Sequence, residues 1–329
     1  MKIRRALRSA IRRIWPSRPG PLILMYHRIA DEPIDNWGLA VSPAHFEEQL
    51  DVLRRVRRPF PLPDFVHNLM TGSLPPNAVA VTFDDGYVDN LTAGKPRLAA
   101  AGVPATVFLA TGFLDRPGEF WWDELARLVL VGDGPRRFEI IIGTERMQVD
   151  LGKDRPAQRD ATGDAASLEM RRAALKSIWQ SLRLLEEDPR ESTLATLRSI
   201  LSVADDGADR GRPMTRNEVR TLASDGLVTI GAHSVTHPVL SRIGAVACHR
   251  EVTESKATCE DVIGKAVAGF AYPFGDFDAD VSDAVKAAGF AFACSTRHGP
   301  ASATSDILAL PRMQVYDWDG DRFERALRQ

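Results

Sequence analysis

Short apolar runs of strand length recur along this 329-residue chain, with helical patterns between several of them. They are PLILMYH (21–27), AVAVTF (78–83), VPATVFLA (103–110), LVTIGA (227–232), AGFAYP (268–273), GFAFAC (289–294) and ILALPRMQV (307–315). Ser42-Pro43 has the form of a helix cap and first turn, with Phe46, Leu50 and Leu53 on one face. A second helical stretch ends at Ala101-Gly102, and TRNEVRTLASDG (215–226), HREVTESKATCEDVIG (249–264) and DADVSDAVKAAG (278–289) each close on a glycine stop. Apolar strands alternating with amphipathic helices predict a parallel sheet covered by helices, an α/β fold. Seven such strands suit a TIM-like barrel better than a small open sheet.

Between residues 118 and 211 the alternation breaks. FWWDELARLVLV is helical in pattern, RRFEIIIGTERMQVDL suggests a small hairpin, and a long polar helical region follows with Leu168, Ala173, Leu175, Ile178 and Leu182 among its apolar positions. We read 118–211 as a mainly helical insertion packed on a barrel formed by 20–117 and 212–329. The first nineteen residues, MKIRRALRSAIRRIWPSRP, form a separate basic tail whose Ile3, Leu7, Ile11, Ile14 and Trp15 fall on one side of a helix. Such a tail reads equally as a helix lying on an anionic membrane surface and as a frayed, solvated tail. No apolar core follows its basic start and no stretch is long enough to span a bilayer, so the expected location is cytoplasmic, and the inner membrane face if the tail binds there. A net charge of −2 gives no reason to expect nucleic-acid binding. Cys248, Cys259 and Cys294 are too few and scattered for a disulfide framework and suit apolar core positions.

AVAVTF runs directly into Asp84, Asp85 and Gly86. Parallel-sheet proteins carry their chemistry at strand ends, yet two adjacent carboxylates there repel and lose hydration. Neighbouring strand residues point to opposite faces, so both acids enter one site only if the chain leaves strand geometry, which Gly86 permits. Alone, DDG is also what a solvated turn looks like. The second constellation, GAHSVTHP (231–238), again follows an apolar strand and presents His233 and His237 four apart. One helical turn would bring both imidazoles to one face. Two histidines and one carboxylate around an open position are typical of hydrolytic zinc, with Fe(II) an alternative. With Asp85 as third ligand, the cation compensates the paired charge and Asp84 remains free to act as a base toward an acidified water.

TFDDG, then HSVTH far downstream, then FAYPFG (270–275) resemble the polysaccharide deacetylases, the NodB-type homology domain of carbohydrate esterase family 4. The resemblance covers residues 20–117 and 212–318. It implies a distorted (β/α)7 barrel and N-deacetylation of acetylated amino sugars by one divalent metal, often zinc. It implies Asp84 as base and Asp85, His233 and His237 as metal ligands. Two departures stand out. Where many members have an arginine in the third motif this chain has Ala271, and Arg312 is the candidate to orient Asp84 in its place. The C-terminal run ILALPRMQVYDWD lacks the family's Leu-x-His, but the first strand ends in MYHRI. That arrangement is similar to a circularly permuted subgroup, the poly-N-acetylglucosamine deacetylases, and implies His27 as general acid.

Around these, Tyr272, Pro273, Phe274 and Gly275 are expected to shape the groove, with Phe274 supplying a wall or a backbone N–H to the oxyanion. Trp121 and Trp122, followed by Asp123, are candidates to stack on sugar faces. Asp89 and Asn90 read equally as a helix cap or a sugar contact, and His249 and His298 as surface residues. The expected substrate is an acetylated amino-sugar glycan or its lipid- or nucleotide-linked precursor. The competing readings are hydrolysis of another amide or acyl group on the same barrel, and a non-catalytic carbohydrate-binding relative.

Overall fold

A computed structural model describes residues 20–32, 35–152, 165–203 and 211–328, the side chains of 165–167 excepted. The basic tail 1–19 lies outside them. Among the described residues twelve strands form: β1 (Leu22–Tyr26), β2 (Arg28–Ile29), β3 (Ala40–Val41), β4 (Arg58–Pro59), β5 (Ala78–Phe83), β6 (Ala105–Leu109), β7 (Arg137–Ile142), β8 (Glu145–Asp150), β9 (Val228–Ala232), β10 (Gly269–Ala271), β11 (Phe292–Cys294) and β12 (Met313–Gln314). The main sheet runs β11-β10-β9-β6-β5-β1-β12, all parallel, with short β4 also beside β5. Ala293 donates to the Ile307 carbonyl, and Leu310 and Ser295 exchange further backbone bonds with the two segments, so β11 is tied to the chain leading into β12. The seven-strand path thus curls back to its start, the (β/α)7 barrel expected.

One strand is shorter than its pattern. ILALPRMQV is extended in sequence terms, yet only Met313–Gln314 ladder with β1, and Leu310 bridges to Cys294 alone. Pro311 between them has no N–H to donate. This break lets the chain cross between β11 and β1 and turns Arg312 inward, where it is fully buried.

Strand alternation sorts the core into two layers. Ile23, Ala80, Phe108, Ala271, Cys294 and Leu310 share the inner cluster, which the helix Leu62–Thr71 closes at one end with Leu62, Phe65, Val66 and Leu69. Leu24, Val79, Val81, Val107, Leu109 and Phe270 pack outward against the helices, including Pro43–Val56 and Ala245–Ile263. The Phe108 ring fills the barrel so closely that a Cβ at Gly231 would lie 2.3 Å from it. Ser42 caps Pro43–Val56, and Thr215 with Glu218 forms a capping box on Arg216–Ala223.

The inserted segment contributes helices Trp121–Val131, Ala165–Leu182 and Glu187–Ile200 with the antiparallel hairpin β7–β8. Its core of Leu125, Leu128, Ile140, Leu175, Ile178, Leu182, Leu194 and Leu197 also takes in Tyr87, Ala110 and Phe113, which follow the ends of β5 and β6. The insertion is therefore seated at the carboxyl ends of the strands, where the Asp and His motifs emerge. All three cysteines are buried free thiols, and no helix among the described residues is long and apolar enough to cross a membrane.

Candidate metal and catalytic site

The turn at the end of β5 is made by Asp85 as well as Gly86. Asp85 sits at φ 72° and Gly86 at φ 92°. Aspartate tolerates the left-handed region better than most side chains, while at Gly86 a Cβ would lie 2.7 Å from Leu109. The turn is pinned by Ala110 N–H to the Asp85 carbonyl and Met214 N–H to the Gly86 carbonyl. It sends the two carboxylates to different partners.

Asp84 meets Arg312. Two parallel bonds, Nη1 to Oδ1 and Nη2 to Oδ2, are each 2.7 Å, and Arg312 also donates to the Thr82 hydroxyl and the Ser295 carbonyl. Burial pushes the Asp84 carboxyl up, but Arg312, with His233, overrides this and holds it well below the usual carboxylate range. Asp84 is therefore an oriented, ionised carboxylate.

Asp85 meets the histidines. Its Oδ1 is 3.5 Å from Nε2 of both His233 and His237, and those two nitrogens are 3.1 Å apart. The expected helical turn is absent: residues 233–237 are a loop, with Ser234 at φ 63° and His237 at φ 55°. A loop can converge the rings because Glu251 clamps it. The Glu251 carboxylate accepts from Val235 N–H (2.7 Å), Thr236 N–H (2.9 Å) and the Thr236 hydroxyl (2.7 Å), and the Ser234 hydroxyl accepts from His237 N–H. Sequence reasoning missed Glu251. Its signal is an acid sharing the buried helix face of Cys248, Val252, Ser255 and Cys259.

These three side chains fit a divalent cation. Their ligand atoms lie within 4.8 Å of one another. His233 Nδ1 is 2.7 Å from the Ala271 carbonyl, which makes Nδ1 the donor and leaves the Nε2 lone pair aimed at the site. Burial lowers both imidazoles, with His233 further lowering His237, so both rings are neutral and free to serve as donors to a cation. Burial, then Asp84 and Asp123, raise Asp85 well above the carboxylate range, a carboxylate whose charge lacks compensation. A cation held here would supply it. Hard and borderline ions with nitrogen and oxygen donors, zinc among them, suit this set.

His27 follows β1 and shares the electrostatic field of Asp84, Arg312 and His233. Burial lowers its imidazole to about 4, against an opposing pull from Asp84. Its Nδ1 is buried without a hydrogen-bond partner. The backbone around it is held by the end of the DDGYVDN stretch: Asn90 donates to the His27 carbonyl at 2.7 Å, and Asp89 accepts from Ile29 N–H and Arg28 Nε. Asp89 makes no capping bond to the turn Asn90–Gly94. Asp89 is thus not the cap expected, and both residues position the segment that carries His27.

The third motif divides. Tyr272 is buried and donates to the Leu308 carbonyl while stacking on Phe277, so it packs rather than facing a substrate. Pro273 opens a short turn, Phe274 takes φ 58°, and Gly275 approaches Thr296 too closely for any Cβ. The Phe274 ring stands 4.5 Å from that of His237, as a wall. Trp121 and Trp122 correct the sugar-stacking expectation, for both are 5% exposed. Trp122 lies between the Phe120 and His237 rings and donates to the Tyr87 hydroxyl, which donates to Asp123. Trp121 is covered by the Arg190 guanidinium. The half-buried aromatics near the site are instead Trp37 and Trp179, 5.4 Å apart, with Trp179 against Phe274. Neither lies in a motif, so nothing in the sequence marks them. His249 and His298 are exposed.

The family model described as Polysaccharide deacetylase matches residues 71–133 and 180–293, which leaves His27 and Arg312 outside the matched segments. No curated protein matches the chain. The deacetylase PplD of Streptococcus pyogenes, solved in complex with acetate, has a TM-score of 0.60 at 16% identity, over 95% of this chain and 99% of that one. IcaB from Ammonifex degensii has a TM-score of 0.59 at 17% identity, over 94% and 98%. The BpsB deacetylase domain from Bordetella bronchiseptica has a TM-score of 0.53 at 16% identity, over 92% and 97%. At such identities the likeness is one of fold.

Proposed function

Since the chain belongs to the polysaccharide deacetylase family, we propose that it is a metal-dependent hydrolase removing the N-acetyl group from an amino sugar of a polysaccharide or glycan precursor. The observation that carries this reading is the split of the two aspartates, Asp84 onto Arg312 and Asp85 onto His233 and His237. A divalent ion, zinc by our reading, would be held by Asp85, His233 and His237 and would supply Lewis-acid polarisation and a water of lowered pKa.

The remaining work falls to side chains. Asp84, locked by Arg312 in one orientation, takes a proton from the water attacking the acetamide carbonyl. In the resting protein His27 is neutral at pH 7, since its pKa is about 4. The proton taken at Asp84 is therefore the one His27 must pass to the departing amine nitrogen, which leaves as a free amino sugar beside acetate. Asn90 and Asp89 hold His27 to that task, and Phe274 walls the site next to His237. Positioned acid and base groups of this kind each contribute on the order of a hundred- to ten-thousand-fold.

What the sugar is attached to is a separate proposal. A lipid- or nucleotide-linked precursor met at the cytoplasmic membrane face suits the basic residues 1–19. Deleting them should abolish co-sedimentation with vesicles containing anionic phospholipid, and undiminished binding would refute membrane contact.

The test of the main reading is metal content and acetate release. The zinc-loaded protein should hold about one equivalent and release acetate from N-acetylglucosamine oligomers, and an Asp85→Ala, His233→Ala double variant should do neither. A native protein that neither binds zinc nor releases acetate would overturn it.

A further inference from the structure

Helix Ala165–Leu182 carries Trp179 to the wall of the proposed metal site, and the chain leaving it carries Arg183. The Arg183 guanidinium lies 4.7 Å from the Trp179 ring centroid and 5.9 Å from that of Phe274. Phe274 in turn touches His237. Arg183 is thus one aromatic ring away from a proposed metal ligand. Arg127 and Arg198 reach glutamates, whereas among the described residues Arg183 has no carboxylate partner and its buried Nε has no hydrogen bond.

A half-buried guanidinium whose Nε is buried without a hydrogen bond and whose faces meet only rings still has donors to offer. Stacking fixes the plane and leaves the edge open, the arrangement that favours two parallel bonds to one oxyanion. A buried donor left without an acceptor is costly, and a ligand that brings an anion to the fork supplies one. Trp179, half-buried beside it, offers apolar ring surface for a sugar ring.

We infer that Arg183, Trp179 and Phe274 form a subsite for an anionic group, a carboxylate or a phosphate, borne by the sugar unit next to the acetylated one or by the anomeric linkage of the acetylated unit itself. The inference rests on the deacetylase reading and deepens it, because it makes the substrate an acidic glycan or a phosphate-linked precursor rather than a neutral homopolymer.

Calorimetric titration of the full zinc-loaded chain tests it without requiring turnover. Three probes serve: a neutral N-acetylglucosamine tetramer, a tetramer alternating N-acetylglucosamine with glucuronic acid, and N-acetylglucosamine 1-phosphate. One anionic probe should bind about ten- to a hundred-fold more tightly than the neutral one, the range of a charged hydrogen-bonded pair. Which of them does so separates uronate from phosphate. In Arg183→Gln that ratio should fall toward one. Arg183→Lys keeps the charge but not the fork and should reduce the ratio, and it decides the matter if the glutamine variant does not fold. A native protein without anion preference, or a ratio unchanged in the variants, would overturn the inference. Acetate release is followed in parallel, and its failure with the preference intact would count against the deacetylase reading alone.

Discussion

Arg312 and Asp84 are joined by two parallel 2.7 Å hydrogen bonds across 228 residues of sequence, inside a barrel where the arginine has no solvent exposure. The pair closes the last strand onto β5 and orients the proposed base at once. Arg312→Met should leave an uncompensated buried carboxylate and cost on the order of 3–5 kcal/mol. In the native protein the Asp84 pKa is lowered, so its contribution to stability is present above the ordinary carboxylate value near 3.8 and lost as pH falls below it. Without the guanidinium, burial outweighs the remaining pull of His233 and His27 and the carboxyl rises, so the folded variant holds a proton that the unfolded chain releases. The variant's deficit should therefore be largest at pH 7 and shrink toward pH 5, as urea denaturation at the two pH values would reveal. A variant as stable as the native protein at both would sink the assignment.

Asp84→Asn separates base from ligand. The amide still accepts from Arg312 through its oxygen but cannot take a proton. Zinc content should stay at the native level while acetate release falls by roughly a hundred- to ten-thousand-fold. His233→Ala should lose both, because it removes one of three converging donors. Retained turnover in Asp84→Asn would remove Asp84 from the reaction.

Glu251 touches no proposed ligand atom, yet its carboxylate holds the loop in which Ser234 and His237 take positive φ. Glu251→Ala leaves two amide N–H groups and a hydroxyl without their acceptor. The loop should relax and the zinc dissociation constant should rise about ten- to a hundred-fold, the usual effect of losing an outer support of a metal ligand. Excess zinc should restore most of the turnover number, since Asp84 and His27 are untouched. Competition with a chelator measures the first quantity. Lost turnover at saturating zinc would mean that Glu251 does more than support the loop.

The barrel was legible because its strands are apolar over their whole length and separated by helices with marked stops, and β5 and β6 form where AVAVTF and VPATVFLA predict them. The convergence of Asp85, His233 and His237 was legible as composition, not as geometry. The spacing suggested a helical turn, whereas the chain forms a loop whose shape depends on Glu251, 14 residues beyond His237. Arg312 was visible only as a gap elsewhere, the missing arginine beside Ala271. Its inward turn depends on a strand break at Pro311 and on contacts no local pattern encodes. Trp121 and Trp122 failed as sugar platforms for a related reason. Adjacent tryptophans opening a helix carry no mark of whether another element will cover them, and here Phe120, Arg190 and His237 do.

The metal-free protein should be acid-sensitive well above the carboxylate range, and His27 is the residue that reads this out. Burial lowers its pKa from 6.5 to about 4. Between those values the unfolded chain binds a proton that the folded chain refuses, so stability falls as pH drops through this window and is fully present above 6.5. At about 1.4 kcal/mol per unit the loss attributable to His27 has a ceiling of about 3 kcal/mol near pH 4. His233 and His237, also lowered by burial, add loss of the same sign. Their share is common to the native protein and to His27→Gln, so the difference between the two profiles isolates His27. Urea denaturation of chelator-treated protein at pH 7.5, 6 and 5 should give a steeper decline for the native chain than for His27→Gln. Parallel profiles would mean that His27 is solvated in the folded state, and the neutral resting imidazole on which its proton-passing role depends would have to be given up.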